Sequence, residues 1–213
     1  MDNVLAMLLG SPAKAKLLRH FLSNPDQQFT KEEIRKAARI RQEAVNKEIK
    51  GFLKMGLIRE KSCTREVLSA KRKKLTKKKT KCYTVNPDFK YLNSFKQLIF
   101  QIDPATDKEV LALLKKTGSL RLVLLSGVFT HSEDAVVDLF IVADKVKTAS
   151  LKKAIAEIEA HVGKELSYVE LSQSEFEYRL SMYDKLVRDV LDGTYRIALD
   201  KLKSDWRDLK MSR

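Results

Sequence analysis

The 213 residues carry 42 Lys/Arg against 28 Asp/Glu, a formal net charge of +14, with 44% hydrophobic and 33% charged residues. That balance suits a chain with one large core or two small ones and excludes an intrinsically disordered segment. Two cysteines make no disulfide framework, and no apolar run approaches the roughly 18 residues of a membrane span.

The charge is unevenly placed. Residues 1–100 hold 24 Lys/Arg and 9 Asp/Glu, a net of +15, whereas residues 101–213 hold 18 and 19, a net of −1. The positive excess lies in one half, which predicts two domains with different tasks, the first facing a polyanion. Val4–Leu9 is too short and lacks the basic flank of a signal peptide, so a cytoplasmic location is expected.

In chain order, Ser11-Pro12 reads as a helix start, a hydroxyl cap followed by proline at the first helical position. Leu17, Leu18, Phe21 and Leu22 then recur at helical spacing until Asn24-Pro25-Asp26 stops the pattern. Thr30 caps a second helix with Glu33 three residues on, and Ile34 and Ala37-Ala38 face inward. A third helix is predicted from about Arg41 to Met55, ended by Gly56. Its apolar side is Val45, Ile49, Phe52 and Leu53; its polar side is Arg41, Gln42, Asn46, Lys47, Lys50 and Lys54.

Residues 59–81 hold eleven basic residues against Glu60 and Glu66, a density of like charge that no core accepts. Leu57–Lys61 and Lys81–Val85 are expected to be two strands, with Ser62–Thr80 a long basic loop. Cys63 and Cys82 flank that loop, where they could face each other across the strands. With no histidine nearby they read as two free thiols, with no metal site. Asn86-Pro87-Asp88 ends the hairpin, and Phe89–Phe100 is a helix with Leu92, Phe95, Leu98 and Ile99 apolar, a connector.

Two short helices, a tight turn and a basic hairpin are the plan of a winged-helix DNA-binding domain, and this half resembles regulators of the ArsR and MarR groups. The resemblance implies that duplex DNA is the partner. Gln42, Asn46 and Lys50 would read base edges, with Arg41, Lys47 and Lys54 of the third helix and Thr30 at the start of the second also in contact with DNA. Lys71, Arg72, Lys73, Lys74, Lys77, Lys78 and Lys79 would neutralise phosphates.

In the second half, Asp107–Lys116 reads as a helix, Leu120–Leu125 as a buried strand and Val136–Val142 as another. Ser150–Val162 is a helix, Leu166–Leu171 a third strand, and Ser172 caps a further helix. Residues 120–199 resemble the minimal nucleotidyltransferase domain of the polymerase-beta superfamily, whose active members read G-S-x-x-R-G, then S-D-x-D on a strand. Here Ser126-Gly127 replaces Gly-Ser with no arginine after it, and Val136 stands where the first aspartate belongs. Asp138 matches the second aspartate, and Tyr168 or Glu170 falls near the third carboxylate position. One matched carboxylate does not organise two metal ions, so no catalytic residue, metal or cofactor is expected. Ser126, Gly127 and Asp138 are left as residues of a small-ligand pocket.

Tyr195, Leu199, Leu202, Trp206 and Leu209 are spaced 4, 3, 4, 3 and predict a helical seam, available for a homodimer. The fold class expected is thus α+β. A winged helix (three helices plus a β-hairpin wing) spans 1–88, and a connecting helix and linker spans 89–103. A small α/β nucleotidyltransferase-like domain, with a mixed sheet and C-terminal helices, spans 104–213. The expected function is a DNA-binding transcriptional regulator with no enzymatic activity and no membrane partner. The rivals are a metal-dependent nucleotidyltransferase and an RNA-binding adaptor.

Overall fold

The structure is a computed structural model describing residues 4–68, 75–102, 104–202 and 206. It is mixed α+β and divides into two compact units, Asp2–Ile102 and Asp103–Arg213. Among the described residues no helix is long and apolar enough to cross a membrane.

The first unit opens with α1 (Val4–Leu9), a short helix ahead of Ser11 that no capping signal in the sequence announces. Next is α2 (Pro12–Ser23), where Ser11 Oγ accepts from Lys14 N at 3.1 Å and Pro12 stands in the first turn. In α3 (Lys31–Ala38), Thr30 and Glu33 satisfy each other's amides as their spacing predicts. Ile34 and Ala38 are buried but Ala37 is exposed, so the inward face is narrower than expected.

The α4 helix (Gln42–Met55) buries Val45, Ile49 and Phe52, worth about 1.5–3 kcal/mol per large side chain. A carboxylate shares that buried side. Glu48 accepts from Ser11 Oγ at 3.1 Å and lies 3.9 Å from Lys14 Nζ, fixing α4 against the start of α2. Gly56 ends the helix at φ +80°, a left-handed turn that a Cβ would oppose. Asn86 then closes over it, donating Nδ2 to Gly56 O and its backbone N–H to Leu57 O, both at 2.8 Å.

Strands β1 (Ile58–Leu68) and β2 (Leu75–Val85) form one antiparallel hairpin. They are eleven residues each, not the five expected, and the segment between them shrinks to residues 69–74. Backbone pairing of Phe29 with Tyr83 adds a short third rung. Helix α5 (Leu92–Gln101) belongs to this unit's core through Ile99, while Leu98 is largely exposed. Buried Arg19 of α2 donates to Ile99 O at 3.2 Å and Ile102 O at 2.9 Å, satisfying carbonyls at the end of α5.

The second unit runs α6 (Asp107–Leu114), β3 (Ser119–Ser126), β4 (Leu139–Asp144), α7 (Thr148–Val162), β5 (Tyr168–Leu171), α8 (Gln173–Ser181), α9 (Lys185–Asp192) and β6 (Tyr195–Asp200). The sheet order is β5-β4-β3-β6, with β4 and β5 parallel across α7 and the other pairs antiparallel. Central β3 is apolar on both faces, as a strand covered on both sides must be. Val123 and Leu125 enter one core with α6 and α7, and Leu122 and Leu124 enter another with α8 and α9.

The expected terminal helix is corrected. Tyr195 and Leu199 lie in β6, pairing with Ser126 and Val123 of β3. Gly193 interrupts the helical run; Tyr195 and Ile197 then pack into the core with α8 and α9, and Ala198 and Leu199 into the core with α6 and α7, so the strand is covered on both faces. Leu202 and Trp206 pack into this same unit, with Trp206 Nε1 donating to Asp200 at 3.3 Å. Leu209 lies outside the described residues.

Candidate nucleic-acid interface

The outer side of α4 carries Arg41, Lys47, Lys50 and Lys54, with Gln42 and Asn46 at the same helix's flank. Of the expected reading residues, Lys50 is exposed, whereas Gln42 and Asn46 are half-buried at the edge of the side formed by Val45, Ile49 and Phe52. Thr30 is half-buried and its hydroxyl is engaged, accepting from Glu33 N at 3.2 Å.

In the hairpin, cross-strand partners share a face. Lys77, Lys79 and Lys81 stand with Glu66, Thr64 and Ser62 on one face; Lys78, Thr80 and Cys82 stand with Arg65, Cys63 and Lys61 on the other. At about 3.3 Å per residue the ribbon is roughly 36 Å long. Its base is buried through Ile58, Tyr83 and Val85, and Lys77, Lys78 and Lys79 are exposed toward its far end. Lys71, Arg72, Lys73 and Lys74 lie outside the described residues. The basic segment is therefore mostly strand: Thr80 and Thr84 supply β-branched residues among the lysines.

Among the described residues, three of its cations have intramolecular partners. Arg59 meets Asp88 at 2.6 Å, Lys81 meets Glu60 at 2.7 Å, and Arg65 donates Nε to Glu33 Oε1 at 2.8 Å and Nη2 to Gln28 O. Burial works to raise the Glu33 carboxyl, but the Thr30 amide and the Arg65 guanidinium outweigh it and hold the carboxyl below its ordinary value. Lys81 holds Glu60 low, and Glu60 in turn holds Lys81 high.

Sequence reasoning missed the cleft between α3 and the hairpin, about 630 Å³, where Lys31, Lys36 and Lys78 stand among Glu32, Glu33 and Glu66. Lys31 sits 5.9 Å over the Tyr83 ring. The available signal was Lys31 and Lys36 on the helix ahead of α4. The free-thiol expectation is also corrected: Cys63 and Cys82 form a disulfide, their Cα atoms 5.8 Å apart. Once the strands extend past both residues, they become diagonal neighbours on one face.

In the second unit, Ser126, Gly127 and Asp138 do come together, but around one another. Ser126 Oγ donates to Val137 O at 2.5 Å. Buried Asp138 accepts from Val128 N at 3.0 Å through one oxygen, and from Ser167 N at 3.0 Å and Ser167 Oγ at 3.3 Å through the other. A Cβ on Gly127 would stand 2.2 Å from Asp138 Oδ1. Carrying the pleat of β4 back one residue puts Asp138 on the face of Phe140 and Val142, whose neighbour is Val169. Tyr168 and Glu170 pair with Leu139 and Ile141 and so take the opposite face. Neither completes a carboxylate cluster with Asp138. Val136 is 49% exposed, and β4 begins at Leu139 instead of Val136. Among the described residues no three His, Cys, Asp or Glu side chains are grouped to hold a metal ion.

No family model matches this chain, nor does any curated protein or solved structure.

Proposed function

We propose that the chain is a DNA-binding regulator whose first unit is a winged helix, α4 being the reading helix and the β1–β2 hairpin the wing. The observation that carries this is the pairing of a polar, lysine-bearing outer face on α4 with exposed lysines on β2. Gln and Asn suit adenine edges and Lys suits guanine or phosphate, while a lysine-rich ribbon gains affinity by releasing counterions. The Phe29–Tyr83 pairing supports the same topology by adding a one-residue antiparallel bridge to β2 from the segment between α2 and α3.

The second unit is proposed to be a nucleotidyltransferase-like domain acting in sensing or assembly. Support comes from Asp138, the one matched carboxylate, whose oxygens accept from Val128 and Ser167. A carboxylate so engaged shapes a loop and has little to offer a cation.

Selection of bound sequences from random duplex DNA at near-physiological salt tests the reading, with structured RNA as competitor. An enriched duplex motif that RNA does not displace is expected. No enrichment, or displacement by RNA, defeats it.

A further inference from the structure

The hairpin is tied to the body at two points, one on each strand. On β2 the tie is Tyr83, whose backbone exchanges hydrogen bonds with Phe29 at 2.8 and 2.9 Å. On β1 it is Arg65, whose guanidinium reaches Glu33 and Gln28 O. The Cys63–Cys82 disulfide lies between these ties, Cys82 next to Tyr83 and Cys63 two residues before Arg65. It does not join residues directly opposite, because Cys63 faces Thr80 and Cys82 faces Lys61. The bond therefore also resists sliding of one strand past the other. Everything carried beyond it, including Lys77, Lys78 and Lys79, takes its direction from this segment.

We propose that the Cys63–Cys82 disulfide is a redox-controlled brace that sets the affinity of the lysine-bearing hairpin for duplex DNA. The inference rests on the DNA-binding reading and adds its regulation. A preorganised arm presents its cations without the cost of ordering them at each encounter; an unbraced arm meets that cost on binding.

The chemistry is thiol–disulfide exchange with a dithiol reductant. Cys82 is fully buried and Cys63 is 9% exposed, so Cys63 Sγ is the atom open to attack. The incoming thiolate bonds to Cys63 Sγ as the Cys63–Cys82 bond breaks, and Cys82 leaves as a thiolate. The reductant's second thiolate then displaces Cys63. The products are two protein thiols and one oxidised reductant, a transfer of two electrons. Lys61, the cross-strand partner of Cys82, is the cation placed to favour the departing thiolate.

The test compares duplex affinity and salt slope for the air-oxidised full chain, the same protein after dithiothreitol, and the Cys63→Ala/Cys82→Ala double variant. Mass spectrometry after alkylation reports the bond. Reduction is expected to weaken binding about tenfold, chiefly through dissociation, with the sequence preference kept. The double variant should bind like the reduced protein and ignore the reductant; reduced wild type serves alone if that variant fails to fold. Affinity within about twofold across full reduction, or two alkylatable thiols in the folded air-oxidised protein, overturns the brace and leaves the DNA reading standing. Absence of salt-dependent duplex binding by the oxidised protein removes the reading and the brace with it.

Discussion

Arg65 Nε donates to Glu33 Oε1 at 2.8 Å, so a hairpin strand is fastened to the carboxylate that caps α3. Glu33 also accepts from Thr30 N at 2.7 Å, which makes one side chain the junction of helix start and hairpin.

Stability should fall on acidification through this junction. Glu33 is held below the ordinary value of 4.5, so it stays charged in the native state where the unfolded chain begins to protonate. Its contribution is complete above the ordinary value and is lost as pH falls through the native one. Denaturant unfolding of Glu33→Gln should show a flatter acid limb than wild type. Thr30→Ala should cost about 1 kcal/mol at neutral pH by removal of the cap.

Gly127→Ala should destabilise the second unit by more than about 1 kcal/mol. The backbone sits at φ +54° and the added carbon would meet Asp138 Oδ1 at 2.2 Å. Asp138→Ala should cost about 3 kcal/mol, since it leaves the Val128 and Ser167 amides without their acceptor. Thermal unfolding checks both. A metal-ligand role would instead predict that magnesium raises the melting temperature of wild type and not of the Asp138 variant.

Lysines should differ according to whether they already have partners. Replacing Lys77, Lys78 and Lys79 by Ala should lower the salt slope of duplex binding by roughly 0.9 for each phosphate that is no longer neutralised. Lys81→Ala should change it less than Lys79→Ala, because Glu60 lies 2.7 Å from Lys81. Titrations across a salt series measure the difference, and equal effects would mean that the Glu60 pair opens on binding.

Gln42→Ala and Asn46→Ala should relax base preference, by about 1–3 kcal/mol at each position read, while leaving the salt slope unchanged. Binding-site selection with the variants checks this. An unaltered motif would remove α4 as the reading helix.

Local signals reached the structure largely intact. Ser11-Pro12, the Thr30/Glu33 pair and Gly56 mark helix ends through interactions spanning only a few residues, and the structure places those ends there. What failed depended on distant partners. The lysine run resembles a loop because charge masks its threonines, yet Lys77 and Lys79 sit on strand opposite Glu66 and Thr64. Tyr195–Leu199 resembles a helix because its spacing fits a heptad, but the cover offered by β3 decides for strand. The disulfide could not be read before the strand lengths were known, because it spans cysteines 19 residues apart. At the candidate interface the exposed face of α4 was legible from periodicity; Arg65's anchoring role was not, as its partners lie 32 and 37 residues upstream.

Arg19 bears on how the chain can be divided. Its guanidinium, 3% exposed, closes the first unit by holding carbonyls 80 and 83 residues further along. A fragment stopping after Asp88 would strip the Arg19 guanidinium of those two acceptors, whereas one stopping at Ile102 keeps both. A fragment that keeps the core of the first unit closed therefore extends past the hairpin, to the last turn of α5.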